Sequence, residues 1–179
     1  MKTHIRRFKL SDTFIEQYSA REVPWGPLGY VTFKRTYARR LSEFDDTATG
    51  SEEWFQTCRR VIEGMFDMQK QHVYKLGLEW NDNKAQKTAK DAYDRLFNLK
   101  WTPPGRGLWM MGTKFVNERT AAGLFNCAFR STKEINTKGG YLFSWMMDAL
   151  MLGIGVGFDT LGAGTLVVQK PEFTNENFV

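Results

Sequence analysis

The stretch 141-YLFSWMMDALMLGIGVGF-158 is the longest apolar run in the sequence, and it decides the class of fold. The part over residues 139–152 is hydrophobic nearly all round, which predicts a buried helix. The run contains Asp148 and ends in glycines, which argues against a membrane span. The glycines at 153–157 are followed by a strand-like segment, 164-GTLVVQ-169. Together with the helices predicted over the first hundred residues, a strand–helix pattern beginning near residue 105 indicates an α/β fold, in which this shift is either a domain boundary or the entry to a larger sheet.

The glycine run 153-GIGVG-157 does not have the arrangement of a dinucleotide-binding site. Such a site needs a strand, then the glycines, then a helix, so that the phosphate meets the helix N-terminus. Here the glycines follow the helix, and a phosphate would face its C-terminal end, where the helix dipole is unfavourable. The glycines therefore predict close approach of the backbone to a ligand or to a neighbouring element.

The first hundred residues predict helices. A short helix should span residues 11–19, and the aromatic residues spaced by three and four within 30–41 predict a second one. We expect those aromatic side chains to turn inward. The connection 23-VPWGPLG-29 between the two helices is rich in proline and glycine, as turns are.

Two further helices are predicted from capping residues. One should start near Thr49, with Glu52 completing a capping box and Cys58 on the buried stripe. The other should span 84–99 with Asn83 as its cap.

Positive charge is concentrated at the N-terminal end. The net charge is +5, and residues 1–40 carry nine Lys and Arg against three acidic residues. Such a segment suits a phosphate-bearing ligand or a nucleic acid, and equally a solvated basic face. One function class is therefore a non-catalytic binding module, in which residues 30–41 grip nucleic acid or another partner.

The chain has two cysteines, Cys58 and Cys127, which cannot make a disulfide framework. The two histidines, His4 and His72, lie far apart and lack metal-ligand spacing, so no metal site is predicted. The N-terminus has no apolar segment typical of a signal peptide, which favours a reducing cytoplasm. On chemistry alone, Cys127 is either a small core residue or a redox group whose partner lies outside this chain.

Four segments resemble the monomeric class II family of adenosylcobalamin-dependent ribonucleoside-triphosphate reductases. They are 25-WGPLGYVTFKRTYARRL-41, 102-TPPGRGLWMMGT-113, 124-LFNCAF-129 and 142-LFSWMMDALMLGIGVGFD-159. The first segment resembles the N-terminal signature, the second the first barrel loop, the third the Asn-Cys strand, and the fourth the apolar helix and glycine turn. The resemblance implies a helical N-terminal region over 1–100, and over 101–179 the first strands of a ten-stranded α/β barrel.

The resemblance also implies a reaction. The family reduces ribonucleoside triphosphates to deoxyribonucleotides for DNA synthesis, using a thiyl radical generated with adenosylcobalamin. Two further cysteines supply the reducing electrons and end as a disulfide, which a thioredoxin-type reductant restores. Cys127 matches one of this redox-active pair, and its partner lies outside the chain. Asn126, Gly107 and Gly153 match positions that contact or line the nucleotide substrate.

The resemblance also has a limit. Complete members of the family are several times longer, and they place the thiyl cysteine and most of the cobalamin site beyond the region matched here. We therefore expect this sequence to be inactive alone, as a truncated product or as one chain of a split enzyme completed by a C-terminal portion. The expected location is the cytoplasm, or the host cytoplasm if a phage encodes the protein.

Overall fold

A computed structural model describes residues 6–135 and 140–165 of the chain. The chain divides into two compact units, Met1–Leu124 and Phe125–Val179. The first unit is helical, and the second contains the described strands of the sheet. The segment 101–124 therefore lies with the helices, while the starting point of a barrel near residue 101 stays a prediction.

The helical unit is built around two long helices, α3 and α4, which pack against each other. Short 3-10 helices cover Leu41–Glu43 and Ala121–Leu124. The α-helices of this unit are α1 Asp12–Ser19, α2 Pro27–Thr36, α3 Trp54–Lys75, α4 Asp82–Phe97, α5 Gly105–Met110 and α6 Lys114–Glu118.

Two predicted helix starts are wrong in detail. α3 begins at Trp54 instead of near Thr49, and Glu53 is its cap, with the Glu53 backbone N–H donating to the Gln56 side chain at 2.8 Å. α4 is capped by Asn81, whose side chain accepts from the Lys84 backbone N–H at 2.9 Å, so Asn83 is not the cap. In α3 the Gln56 side chain accepts from the cap residue, and in α4 the Asn81 side chain accepts from the first helical turn.

The core of this unit is rich in aromatic side chains, and the buried indole N–H of Trp54 has a hydrogen-bond partner. Trp54 is 4% exposed, and its indole N–H donates to the Phe97 carbonyl at 3.0 Å. Cys58 is fully buried in this core, as predicted. Of the aromatics on α2, Phe33 is 3% exposed whereas Tyr30 is 46% exposed, so the prediction that these rings all turn inward is only partly correct.

The second unit contains a strand, a helix and a parallel strand. β1 spans Cys127–Arg130, α7 spans Tyr141–Met151 and β2 spans Gly155–Phe158. β1 and β2 pair in parallel, with Cys127 opposite Gly155 and Arg130 opposite Phe158. The order of helix, glycine turn and strand is the predicted one, but β2 forms inside the glycine run. Of the predicted strand 164–169, the first two residues lie in a turn and the others lie outside the described residues.

The prediction that α7 is buried on all sides is wrong. Leu142 and Ala149 are buried, but large apolar side chains on the other faces of the helix are more than half exposed. They are Tyr141, Phe143, Met147, Leu150 and Met151. A sheet of two short strands is wide enough to cover only one stripe of a helix, which explains the exposure. No helix in the described part of the chain is long and apolar enough to cross a membrane.

Candidate functional site

Cys127 is the first residue of β1 and lies opposite Gly155 in β2. Its thiol is exposed and forms no disulfide. Side chains alternate along a strand, so Phe129 shares this face of β1, and Gly155 and Gly157 share it on β2. The glycines add no side chain, and Phe129 is 65% exposed. The thiol therefore stands on an open face next to bare backbone.

Asn126 and the glycine turn lie beside this thiol. The Gly155 backbone N–H donates to the Asn126 carbonyl at 2.9 Å. A Cβ placed on Gly155 would lie 3.6 Å from that carbonyl oxygen and 4.0 Å from Cys127 Sγ. The structure therefore brings Asn126, Cys127 and the start of β2 together, as an active site at this position would require.

Gly153 ends α7 in the left-handed conformation, with φ of 73°. Its backbone N–H donates to the Leu150 carbonyl at 2.8 Å, and the Ile154 N–H donates to the Ala149 carbonyl at 3.0 Å. These two bonds form a Schellman motif, which explains a glycine here without reference to a ligand. The motif also turns the chain from α7 into β2, which places Gly155 beside Cys127.

Gly107 lies in the helical unit, within α5. It is buried, and a Cβ there would lie 2.9 Å from Pro103 Cβ. The segment predicted as a loop over 102–113 is thus only partly a loop, because α5 begins at Gly105. Close packing on Pro103 accounts for the glycine, and a role in lining the substrate pocket stays a prediction.

A buried ion pair that sequence analysis missed anchors this segment to α3. Arg60 forms two hydrogen bonds with the Glu52 carboxylate, at 2.7 and 2.9 Å, and their side chains are 6% and 3% exposed. Two further guanidinium N–H groups donate to the Met111 carbonyl at 2.6 Å and the Leu108 carbonyl at 2.9 Å. Glu52 also accepts from the Thr57 hydroxyl at 2.8 Å. Every guanidinium nitrogen and both carboxylate oxygens therefore have a hydrogen-bond partner, as a buried pair requires.

The turn after α5 also lies against α3 without any intervening side chain. Gly112 has φ of 76°, and a Cβ on it would lie 2.4 Å from the Arg60 carbonyl oxygen. A Cβ on Gly64 would lie 2.6 Å from the Gly112 nitrogen. Neither position can take a side chain without moving backbone, so the two glycines set the spacing of α3 and this turn.

A second polar cluster closes the far end of the strand pair, and we call it the Thr132–Asp159 clasp. Asp159 Oδ1 accepts from the Thr132 backbone N–H at 2.9 Å, the Thr132 hydroxyl at 2.8 Å and the Leu161 N–H at 3.2 Å. The Gly162 N–H donates to the Thr132 hydroxyl oxygen at 2.8 Å. Hydrogen bonding from Ser131 and the Thr132 backbone lowers the pKa of Asp159 to about 2, so it is charged at neutral pH.

The two thiols should differ sharply in reactivity. Burial, assisted by the nearby Glu52 carboxylate, raises the pKa of Cys58 well above its ordinary value, whereas Cys127 is exposed. The thiolate is the reactive form. We expect iodoacetamide at pH 8 to modify the native chain at Cys127 alone, and to modify Cys58 only in denaturant. Mass spectrometry of the labelled peptides checks this, and native labelling of Cys58 at a similar rate would contradict the placement.

Comparison with known proteins shows which family this chain matches. The model of the ribonucleotide reductase alpha domain matches residues 10–113. A probable adenosylcobalamin-dependent ribonucleoside-triphosphate reductase of Dictyostelium discoideum is 42% identical over 172 residues, which are 94% of this chain and 22% of that protein. The adenosylcobalamin-dependent reductase of Euglena gracilis is 41% identical over 176 residues, 96% of this chain and 24% of its own length.

A solved structure agrees with these sequence relatives. The crystal structure of a B-12-dependent, class II ribonucleotide reductase superposes with a TM-score of 0.65 at 32% identity, over 85% of this chain and 23% of that one. The fold prediction is thereby confirmed for the mostly helical region followed by a parallel strand pair. This chain spans about a quarter of the length of the relatives it matches, 22–24% for these three.

Proposed function

This chain belongs to the ribonucleotide reductase alpha-domain family, and from that premise we propose that it is one part of an adenosylcobalamin-dependent ribonucleoside-triphosphate reductase. The observation that best supports this proposal is the position of Cys127. An exposed thiol at the start of a strand, flanked by glycine backbone, is what a redox group needs in order to meet a nucleotide on one side and a second sulfur on the other.

The proposed chemistry balances with two thiols. Removal of the ribose 2′-hydroxyl breaks a carbon–oxygen bond, the oxygen leaves as water, and the carbon gains a hydrogen. The two electrons come from two thiols, which end joined by a sulfur–sulfur bond and have released two protons. Cys127 is one of the two. Cys58 is not the other, because it is fully buried in the core of the helical unit.

The second sulfur, the thiyl cysteine and the rest of the barrel are proposed to come from polypeptide outside this chain, in a C-terminal portion or a separate chain. A strand places its thiol rigidly, and the partner need only reach a Cα separation of about 5–6 Å in space. A ribonucleoside triphosphate is the proposed substrate, contacted by Asn126 and approached by the backbone at Gly107 and Gly153. A thioredoxin-type reductant would then restore the two thiols from the disulfide.

Adenosylcobalamin supplies the initiating radical in such an enzyme when it is bound. The described residues do not fit it well. One cavity of about 680 Å³ lies over the polar side of α3, and two of the arginines in its wall are already paired with carboxylates. Arg59 pairs with Glu63 and Asp12, and Arg60 pairs with Glu52. In residues 6–135 and 140–165, no group of His, Cys, Asp and Glu is placed to hold a metal ion. We propose that the cofactor is held mostly outside this chain.

The alternative of a nucleic-acid-binding module is less well supported. On α2, Phe33 is buried and cannot stack on a base. Lys34 pairs with Glu53, and Arg39 pairs with Glu43 at 2.6 Å, so part of the positive charge is already neutralised. Binding of single-stranded DNA with steep salt dependence would favour that module over the reductase.

The experiment that tests the proposal starts from the tagged chain in its native source. The chain and whatever co-purifies with it are assayed for deoxynucleotide formation from ribonucleoside triphosphates, with adenosylcobalamin and a dithiol. We expect product with a stoichiometric partner that contributes further cysteines, and no product from the chain alone. Product that does not require adenosylcobalamin, or a complete complex without any product, would reject the proposal.

A further inference from the structure

The strand pair that carries Cys127 is short, and hydrogen bonds of its ladder cannot be its only support. β1 and β2 have four residues each and pair over four positions. A parallel pair is less stable per residue than an antiparallel one, and an isolated pair of strands is marginal at best. Glycine at two of the four β2 positions weakens it further. Contacts beyond the ladder therefore contribute to fixing the register.

The register decides what lies beside the thiol. In the observed register, Cys127 faces Gly155, which has no side chain. Because side chains alternate along a strand, a slip of one residue would bring Ile154 or Val156 opposite Cys127 instead. Either branched side chain would occupy the open face that a substrate or a second sulfur has to enter.

The Thr132–Asp159 clasp lies beyond the last ladder pair, Arg130 with Phe158. If the ladder continued, Asp159 would lie opposite the residue before Thr132. Thr132 and Asp159 are therefore offset by one residue from the pairing of the ladder. Their contacts use the Asp159 side chain in place of a ladder bond, and Thr132 is 9% exposed. A slip of one residue would separate the Thr132 N–H and hydroxyl from the same carboxylate oxygen. The clasp is therefore compatible with one register.

We propose that Thr132 and Asp159 are positioning residues for the Cys127 thiol, because their clasp locks the register that keeps Gly155 beside it. This inference rests on the proposed reductase function. Five residues of strand separate Thr132 from Cys127, about 16 Å at about 3.3 Å per residue, so the clasp acts through the strand and not by contact with the substrate. Its loss should misplace the thiol without removing the nucleotide-binding groups.

The test uses Thr132→Val in the complete, active reductase. Valine keeps the size of the side chain and the backbone N–H but removes the hydroxyl that bonds Asp159 and Gly162. We expect kcat to fall by roughly tenfold to a hundredfold, as for a small misplacement of a reacting group, with KM for the nucleotide within about twofold of wild type. Thr132→Ser, which restores the hydroxyl, should recover most of the rate.

The chain supplies a matched control. Asp45 Oδ1 also accepts from a threonine N–H and hydroxyl, those of Thr47, at 2.9 and 2.7 Å, in an exposed turn of the helical unit. Thr47→Val should therefore leave kcat unchanged. An unchanged kcat in Thr132→Val, or an equal loss in Thr47→Val, would overturn the inference. Should Thr132→Val fail to fold, Asp159→Asn is the second variant. We expect it to lower kcat by a smaller factor than Thr132→Val, again with KM for the nucleotide nearly unchanged.

A second readout does not depend on activity. Amide hydrogen exchange of the isolated chain should accelerate over 153–158 in Thr132→Val and stay unchanged in Thr47→Val, because the slipping strand loses its bond from the Gly155 N–H to Asn126. Unchanged exchange in Thr132→Val would refute the register lock. A wild-type enzyme without product would reject the proposed function instead, and exchange would still decide whether the clasp holds the strands.

Discussion

Cys127→Ser is expected to abolish multiple turnovers in the complete reductase while the protein keeps its fold. Serine has nearly the same shape, and the thiol it replaces is exposed at the start of β1, so packing should be unaffected. A hydroxyl cannot form the sulfur–sulfur bond that releases two electrons. We expect deoxynucleotide formation with a dithiol reductant to fall to background, with unchanged far-ultraviolet circular dichroism.

Cys58→Ala is the matched control for the other thiol. Its side chain lies in the core of the helical unit, so the variant should lose some stability but retain turnover at a temperature where it stays folded. Repeated turnovers by Cys127→Ser, measured as more than one product per enzyme, would remove Cys127 from the redox pair. Equal loss of activity in both variants with intact folds would also contradict the assignment.

Arg60→Met should destabilise the helical unit by about 3–5 kcal/mol, because it leaves the Glu52 carboxylate buried without its cationic partner. Such a loss is a large fraction of the total stability of a typical domain, which is about 5–15 kcal/mol. The variant also strips hydrogen bonds from the carbonyls of Leu108 and Met111. Urea unfolding followed by tryptophan fluorescence measures the change, since Trp54 reports on this core.

Arg95→Met is the control for this prediction. Arg95 pairs with Asp91 one helical turn away on α4, with both side chains about 60% exposed, and such surface pairs contribute little. We expect its unfolding free energy to stay within about 0.5 kcal/mol of wild type. The double variant Glu52→Leu with Arg60→Met should be less destabilised than the sum of the two single variants, because it leaves no lone charge. A fully additive double variant would argue that the two charges do not act as a pair.

Sequence reasoning predicted the fold best where one local signal dominated. The apolar run before Gly153 predicted a helix ended by glycine, and the Schellman bonds at that glycine account for the result. The start of α3 was misplaced because Glu52 looks like a capping residue. In the structure its carboxylate turns inward to Arg60, and the adjacent Glu53 takes the cap. Whether a glutamate caps a helix or pairs with a buried arginine depends on tertiary contacts. The local spacing of residues in the sequence does not show those contacts.

The site was predictable in part for the same reason. Asn126 and Cys127 are neighbours in sequence, and the resemblance to a family pointed to both. Gly155, which lies opposite the thiol, is distant in sequence, and its placement follows from strand register. Glycine also has low strand propensity, so the local sequence predicts a turn where β2 forms. The exposed face of α7 could not be inferred, because hydrophobicity predicts what a helix can bury and not what is there to cover it.

The contact of Gly64 with Gly112 has a consequence for how this region can vary over evolutionary time. At most contacts, a larger residue on one side can be accommodated by a smaller one on the other, which opens a route for gradual exchange. Here both partners are already the smallest residue, and what each Cβ would meet includes main chain. No compensating substitution exists at either position. We therefore expect natural variation and laboratory selection alike to leave this pair of glycines fixed.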